Sequence, residues 1–127
     1  PFSAPLMDAL EELLDAILRR WDIPMHHVIA HSDMAPLRKG DPGARFDWCR
    51  LALGGLSVWP SEAQEQPLND SLQALGYSVA EFGVEACLNA FRLRFAPWRQ
   101  GAETVADQRD AASLAARFAV DPWVGTS

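Results

Sequence analysis

No lysine or arginine cluster is present, and the formal net charge is -6. Nucleic acid and anionic membrane surfaces are bound through basic patches, so this balance argues against both as partners. Long apolar runs are also missing. No stretch approaches the roughly 20 apolar residues that a membrane-spanning helix needs, and no charged-then-apolar leader opens the chain. The first residue is a proline with no methionine before it, which reads as a cut piece of a longer chain, so the missing leader says nothing of export. Cysteine is scarce too. Cys49 and Cys87 form no CxxC motif and fall on apolar helical faces, where they read as buried free thiols, with an oxidised pair left open by the spacing.

What is present describes a globular protein. A chain of 127 residues, 49% apolar and 22% charged, is long enough for one ordinary domain or two small ones. Ser3-Ala4-Pro5 opens a helix, with Ser3 as N-cap and a proline in the first turn, where its missing N–H costs nothing. Leu6, Leu10, Leu13, Ile17 and Trp21, joined by Met7, Leu14 and Leu18, predict a core-facing stripe. Asp8, Glu11, Glu12 and Asp15 predict a solvated acidic side, and Arg19-Arg20 complements the helix dipole at the far end. Asp22-Ile23-Pro24 stops this helix, and residues 27 to 31 read as a strand.

The chemistry-bearing stretch begins where that strand ends. His31 is followed by a polar loop carrying Asp33, Lys39 and Asp41. By spacing alone this is a weak metal signal, and Asp41-Pro42-Gly43 reads first as a turn, with proline setting φ and glycine supplying φ > 0. Along a strand His27 would stand about 13 Å from His31, at about 3.3 Å per residue, too far to share one ion. His26 points to the opposite face, so both histidines read as loop or strand-entry residues. Asp33 either orients the His31 ring or is a turn residue. Beyond the loop, residues 46 to 53 predict a short helix ended by Gly54-Gly55, with Asp47 near its start. Residues 59 to 67 are polar and bounded by prolines, as in a linker. Three short helices follow: Leu68 to Leu75, one beginning near Glu81 with Val84, Leu88, Phe91 and Phe95 on one face, and one capped by Asp107 that carries Ala111, Leu114 and Phe118.

The segment His31-Ser32-Asp33-Met34-Ala35-Pro36-Leu37-Arg38-Lys39-Gly40-Asp41-Pro42-Gly43-Ala44-Arg45-Phe46-Asp47-Trp48 resembles the late zinc-site segment of the type 2 N-acetylmuramoyl-L-alanine amidases. Ala30 and Leu37 stand where that family usually or often has glycine. The three-helix stretch, with Leu75-Gly76-Tyr77 and Phe91-Arg92-Leu93-Arg94-Phe95, is similar to the peptidoglycan-binding domain that follows some of these amidases, although Gln100-Gly101-Ala102 replaces its usual Asp-Gly.

The resemblance implies an α/β fold class, with residues 1–59 as the C-terminal portion of a mixed-sheet amidase domain. Residues 60–127 would be a linker and a small three-helix, peptidoglycan-binding-like bundle. It implies Zn2+ as cofactor, His31 and Asp41 as zinc ligands, and Lys39 as the group that stabilises the charge developing on the scissile carbonyl. Without it, Lys39 reads as a solubilising surface charge. The implied partners are peptidoglycan or a muropeptide and the missing N-terminal half of the catalytic domain, which would hold the first zinc histidine and a glutamate base. The implied location is the bacterial cell envelope or periplasm, with the cytoplasm as the other choice. A non-enzymatic wall-binding or interaction protein derived from such an enzyme is the alternative function. A strand, a histidine and a glutamate encoded upstream of Pro1 would decide for the enzyme.

Overall fold

A computed structural model describes residues 2–120. Helix α1 spans Ala4–Trp21, with Ser3 Oγ accepting the Leu6 N–H at 3.3 Å and Asp22 closing it in the left-handed region at φ 52°. Its apolar positions split into two parallel rows. Met7 is buried, and Leu10, Leu14 and Leu18 pack against a small core of Ala30, Trp48, Leu51 and Leu56. Leu6, Leu13, Ile17 and Trp21 face outward. The expected core-facing stripe is therefore only half covered, because one helix row is all that the facing segment reaches. The acidic side is not wholly solvated either. Arg50, on helix α3 (Trp48–Leu53), pairs with Asp8 and Glu11 and ties the two helices together.

The expected α/β class is overturned: among the described residues every regular element is helical and no strand or sheet is present. Met25–His27 is a 3-10 turn, Val28 and Ala30 are extended, and His31–Met34 forms a single α-helical turn, α2. A strand needs a neighbouring chain for its N–H and C=O groups. Here side chains take that part, since the Ala30 N–H donates to the Asp33 carboxylate at 2.9 Å and the Val28 carbonyl accepts from Arg94 at 2.7 Å.

The second core is larger. Helices α4 (Leu68–Ala74), α5 (Val79–Phe82), α6 (Val84–Phe95) and α7 (Val105–Phe118) enclose Leu72, Phe91 and Leu114, each fully buried. Burial of such a side chain contributes about 1.5–3 kcal/mol relative to exposure. Gly83, at φ 87°, separates α5 from α6, so the helix expected from Glu81 starts three residues later at Val84. Residues 121–127 of the expected C-terminal module lie outside the described residues. Between the cores, the stretch expected as a linker has no regular structure but is tied to α7, through the Ser61 N–H to Ser113 Oγ at 3.1 Å and Arg117 to the Trp59 carbonyl at 2.7 Å. Cys49 and Cys87 are both free, the first half-buried and the second buried.

The cap of α7 also differs from expectation. Thr104 is the N-cap: its Oγ1 accepts the Asp107 N–H at 3.2 Å, while the Asp107 carboxylate accepts the Thr104 N–H at 2.9 Å. Asp107 is fully buried and pairs with Arg92 and Arg99. Burial pushes this carboxyl up, but the hydrogen bonds from Arg92, Thr104 and Arg99 outweigh it and bring the pKa down to about 2. A carboxyl with a depressed folded pKa adds stability that is present above its unfolded value near 3.8 and lost as pH falls towards about 2. We expect acid titration followed by circular dichroism to show about 2 kcal/mol of stability disappearing across that window, and Asp107→Asn to be less stable at neutral pH and to lack this acid-dependent loss.

Candidate metal centre

One helical turn is too short to be stable in isolation, so α2 exists because its ends are held. Asp33, in the third position of the turn, reaches back to the Ala30 N–H and fixes its start. Ala35 closes it, its N–H donating to the His31 carbonyl at 3.1 Å, and the Ala35 carbonyl then accepts from the N–H groups of Arg38 and Lys39 at 3.0 and 2.9 Å. The chain returns through Gly43, whose φ of 89° permits the turn, after a cis Asp41-Pro42 bond. A further backbone bond, Ser32 N–H to the Asp41 carbonyl at 3.2 Å, brings the two ends of the loop together.

That closure places His31 Nδ1 3.2 Å from Asp41 Oδ2 across ten residues of sequence. Both side chains are open to solvent, with 49% and 63% of their surface exposed. Two ligands of a tetrahedral zinc, each about 2.1 Å from the ion, stand about 3.4 Å apart. The imidazole and carboxylate thus fit two vertices of such a site. Among the described residues no group of three metal-ligating side chains is present. Lys39 lies exposed in the same loop, two residues before Asp41. His26 and His27 are on the 3-10 turn, where the His26 ring stacks on Phe118 with centroids 5.5 Å apart. Burial, and then the neighbouring His27, lower the His26 pKa.

Asp33 sits on the buried side of the turn. Its Oδ1 accepts from Tyr77 Oη at 2.6 Å, and its Oδ2 from Arg94 Nη1 at 3.2 Å as well as from Ala30. Its hold on His31 therefore runs through the backbone of α2. Tyr77 and Arg94 carry no metal-site signature in sequence, since each reads as part of the distant helical stretch. The available signal was Arg94 itself, a charge on the apolar helix α6.

The resemblance read from residues 31 to 48 holds, and the chain is related to the N-acetylmuramoyl-L-alanine amidases. Over 60 residues, 47% of this chain and 22% of the relative, it is 43% identical to the N-acetylmuramoyl-L-alanine amidase AmiD of Escherichia coli strain K12. Over 51 residues, 40% of this chain and 27% of the relative, it is 33% identical to the 1,6-anhydro-N-acetylmuramyl-L-alanine amidase AmpD of Enterobacter cloacae. Among solved structures, 93% of the chain superposes on 54% of AmiD from E. coli, in complex with the substrate anhydro-N-acetylmuramic acid-L-Ala-D-gamma-Glu-L-Lys, with a TM-score of 0.81 and 30% identity. AmpDh3 from Pseudomonas aeruginosa, in complex with anhydromuramic pentapeptide, matches over 94% of this chain and 55% of its own, with a TM-score of 0.82 and 26% identity. The chain thus spans about half the length of these solved relatives. No family model matches it.

The buried phenol gives a direct readout. Burial first, and the nearby Asp33 charge next, raise the Tyr77 pKa well above its ordinary value of 10.0. A group with a raised folded pKa adds stability that is present below the unfolded value and lost as pH rises through the folded one. Tyr77 is the sole tyrosine of the sequence, so a phenolate absorption change is assigned to it, with unfolding followed separately by circular dichroism. We expect no phenolate signal at the ordinary pKa, and ionisation only at more alkaline pH together with unfolding.

Proposed function

We propose that the chain is part of a zinc-dependent N-acetylmuramoyl-L-alanine amidase that hydrolyses the amide between N-acetylmuramic acid and L-alanine in peptidoglycan or muropeptides. The observation that carries this reading is the 3.2 Å approach of His31 Nδ1 to Asp41 Oδ2 in a segment of amidase-like sequence. The relatives' amidase names and the muropeptides bound in two solved relatives support the reaction and substrate class.

In this reading His31 and Asp41 hold the metal, and their shared loop fixes the angle at which they present their donor atoms. Zinc, when bound, lowers the pKa of a coordinated water and polarises a carbonyl. Lys39 holds the negative charge that develops on the scissile carbonyl oxygen, the work of a preplaced cation in amide hydrolysis. The third ligand and the general base come from the part of the protein that this chain does not span. Residues 1–59 belong to the catalytic domain, and residues 60–127 form the linker and a helical module that binds peptidoglycan. Peptidoglycan as substrate favours the bacterial cell envelope or periplasm for this work, and free muropeptides as substrate would put it in the cytoplasm.

In the parent enzyme, His31→Ala and Asp41→Ala should abolish release of peptide from a muropeptide substrate, followed by chromatography, and should cut zinc content measured by mass spectrometry. Lys39→Ala should lower kcat about 10²-fold while leaving zinc content intact. Full activity in any of these variants removes that residue from the site. For this chain alone, calorimetry should show only weak zinc binding, since two protein ligands cannot match three. Limited proteolysis tests the domain division: first cleavage should fall between Glu62 and Gln66, and primary cleavage inside α6 would count against it.

A further inference from the structure

We propose that Tyr77 and Arg94, on the C-terminal helical side of the molecule, are positioning residues for the metal centre: they hold Asp33, and Asp33 holds the helical turn that presents His31. The proposal rests on the zinc amidase reading above. It makes the C-terminal helices part of the catalytic scaffold in addition to any role in binding the cell wall.

The argument starts from the weakness of α2. Four residues make one turn, and their conformation is set by the groups that tie them down. The Asp33 carboxylate is the main tie on the buried side, because it accepts the N–H of Ala30, the residue immediately before His31. A carboxylate left with that one bond would be free to turn towards water. It is not free. Tyr77 donates to one oxygen at 2.6 Å and Arg94 to the other at 3.2 Å, and the side chains of Asp33 and Arg94 are only 7% and 6% exposed.

Arg94 then locks the same segment a second time. Its Nη2 donates to the Val28 carbonyl at 2.7 Å and to Ser57 Oγ at 3.2 Å, so one guanidinium holds the backbone before His31 at Val28 and the turn after it through the Asp33 carboxylate. The opposite edge of the turn is the Ser32 N–H to Asp41 carbonyl bond, which brings the second candidate ligand alongside. The sequence separations are large, 44 residues to Tyr77 and 61 to Arg94. Local sequence around His31 therefore cannot supply this support. Removing a partner bonded directly to a metal ligand typically changes metal affinity about 10–100-fold, and Tyr77 and Arg94 act one contact further out, which sets the lower end of that range as the expected effect.

Tyr77→Phe is the sharpest test, since it deletes one hydroxyl and keeps the ring that packs on Phe91 at 6.3 Å. The full chain, labelled with 15N, is compared as the natural sequence and as Tyr77→Phe, Arg94→Lys, His31→Ala and Leu88→Ala. The last is a truncation in the same core that removes no hydrogen bond. Amide exchange is measured without metal, and zinc chloride titration is followed at the His31 imidazole. We expect Tyr77→Phe to speed exchange at Ala30 and Ser32 about tenfold and to weaken zinc binding about tenfold, with the helical circular dichroism unchanged. Arg94→Lys, which keeps charge and loses the planar fork, should do at least as much. Leu88→Ala should lower the melting temperature and leave zinc affinity alone. Unchanged exchange at Ala30 and Ser32 in Tyr77→Phe overturns the proposal, as does a zinc affinity that falls equally in Leu88→Ala. Weak binding to this chain still moves the His31 signals at high zinc, so if they stay unmoved there the zinc-site reading fails instead, and the exchange rates alone still decide whether Tyr77 and Arg94 hold the turn. Should Arg94→Lys not fold, Tyr77→Phe carries the decision.

Discussion

A guanidinium buried between two apolar cores is the constraint on which the rest depends. Removing an arginine charge from water costs several kcal/mol unless partners replace the lost hydration. Arg94 finds them on every side: the Asp33 carboxylate, the Val28 carbonyl, Ser57 Oγ, and the ring faces of Trp48 and Phe95 at 4.6 and 4.7 Å from its guanidinium carbon. Its Nε alone has no hydrogen-bond partner among the described residues. Because these partners come from four separate stretches of chain, satisfying one charge brings the N-terminal loop, the start of α3, the segment after it and α6 to a common point.

Helix α6 acts as the strut for this arrangement. Residues two apart on a helix diverge by about 200°, so Arg92 and Arg94 leave it on opposite sides. Arg92 turns to the buried Asp107 of α7 and to the carbonyls of Gly101 and Ala102, which organises the C-terminal core. Arg94 turns to Asp33. Trp59 contributes to the same seam in apolar form, packing against both cores and lying edge-on to Phe95 at 6.0 Å.

The candidate centre thus has a rigid base and an open face. Asp33, Ser32 and Ala35 anchor α2 inward, while His31, Lys39 and Asp41 project into solvent. A substrate or metal site has to be accessible, yet its donor atoms have to be held to a fraction of an ångström, and a short loop pinned to buried polar groups meets both needs. The exposed row of α1 (Leu6, Leu13, Ile17 and Trp21) shows the complementary point that an apolar face is covered only where a partner surface exists.

Features set by neighbours in sequence were legible in the residues alone. The Ser3 cap and the Asp22 stop of α1, the Gly54-Gly55 end of α3 and the His31-to-Asp41 spacing with its amidase resemblance all depend on contacts a few residues apart or on an ordered motif. The sequence alone also suggested a strand over residues 27 to 31, because the apolar run inside it carries no record of whether a second strand lies beside it. Tertiary structure decided that matter by giving the segment's backbone groups to Asp33 and Arg94. It likewise decided which row of α1 is covered, that Asp107 is a buried hub behind a Thr104 cap, and that Tyr77 stands under the candidate metal loop. Each of these is a pairing of groups whose chemistry is visible in the sequence but whose partner is chosen by the path of the whole chain.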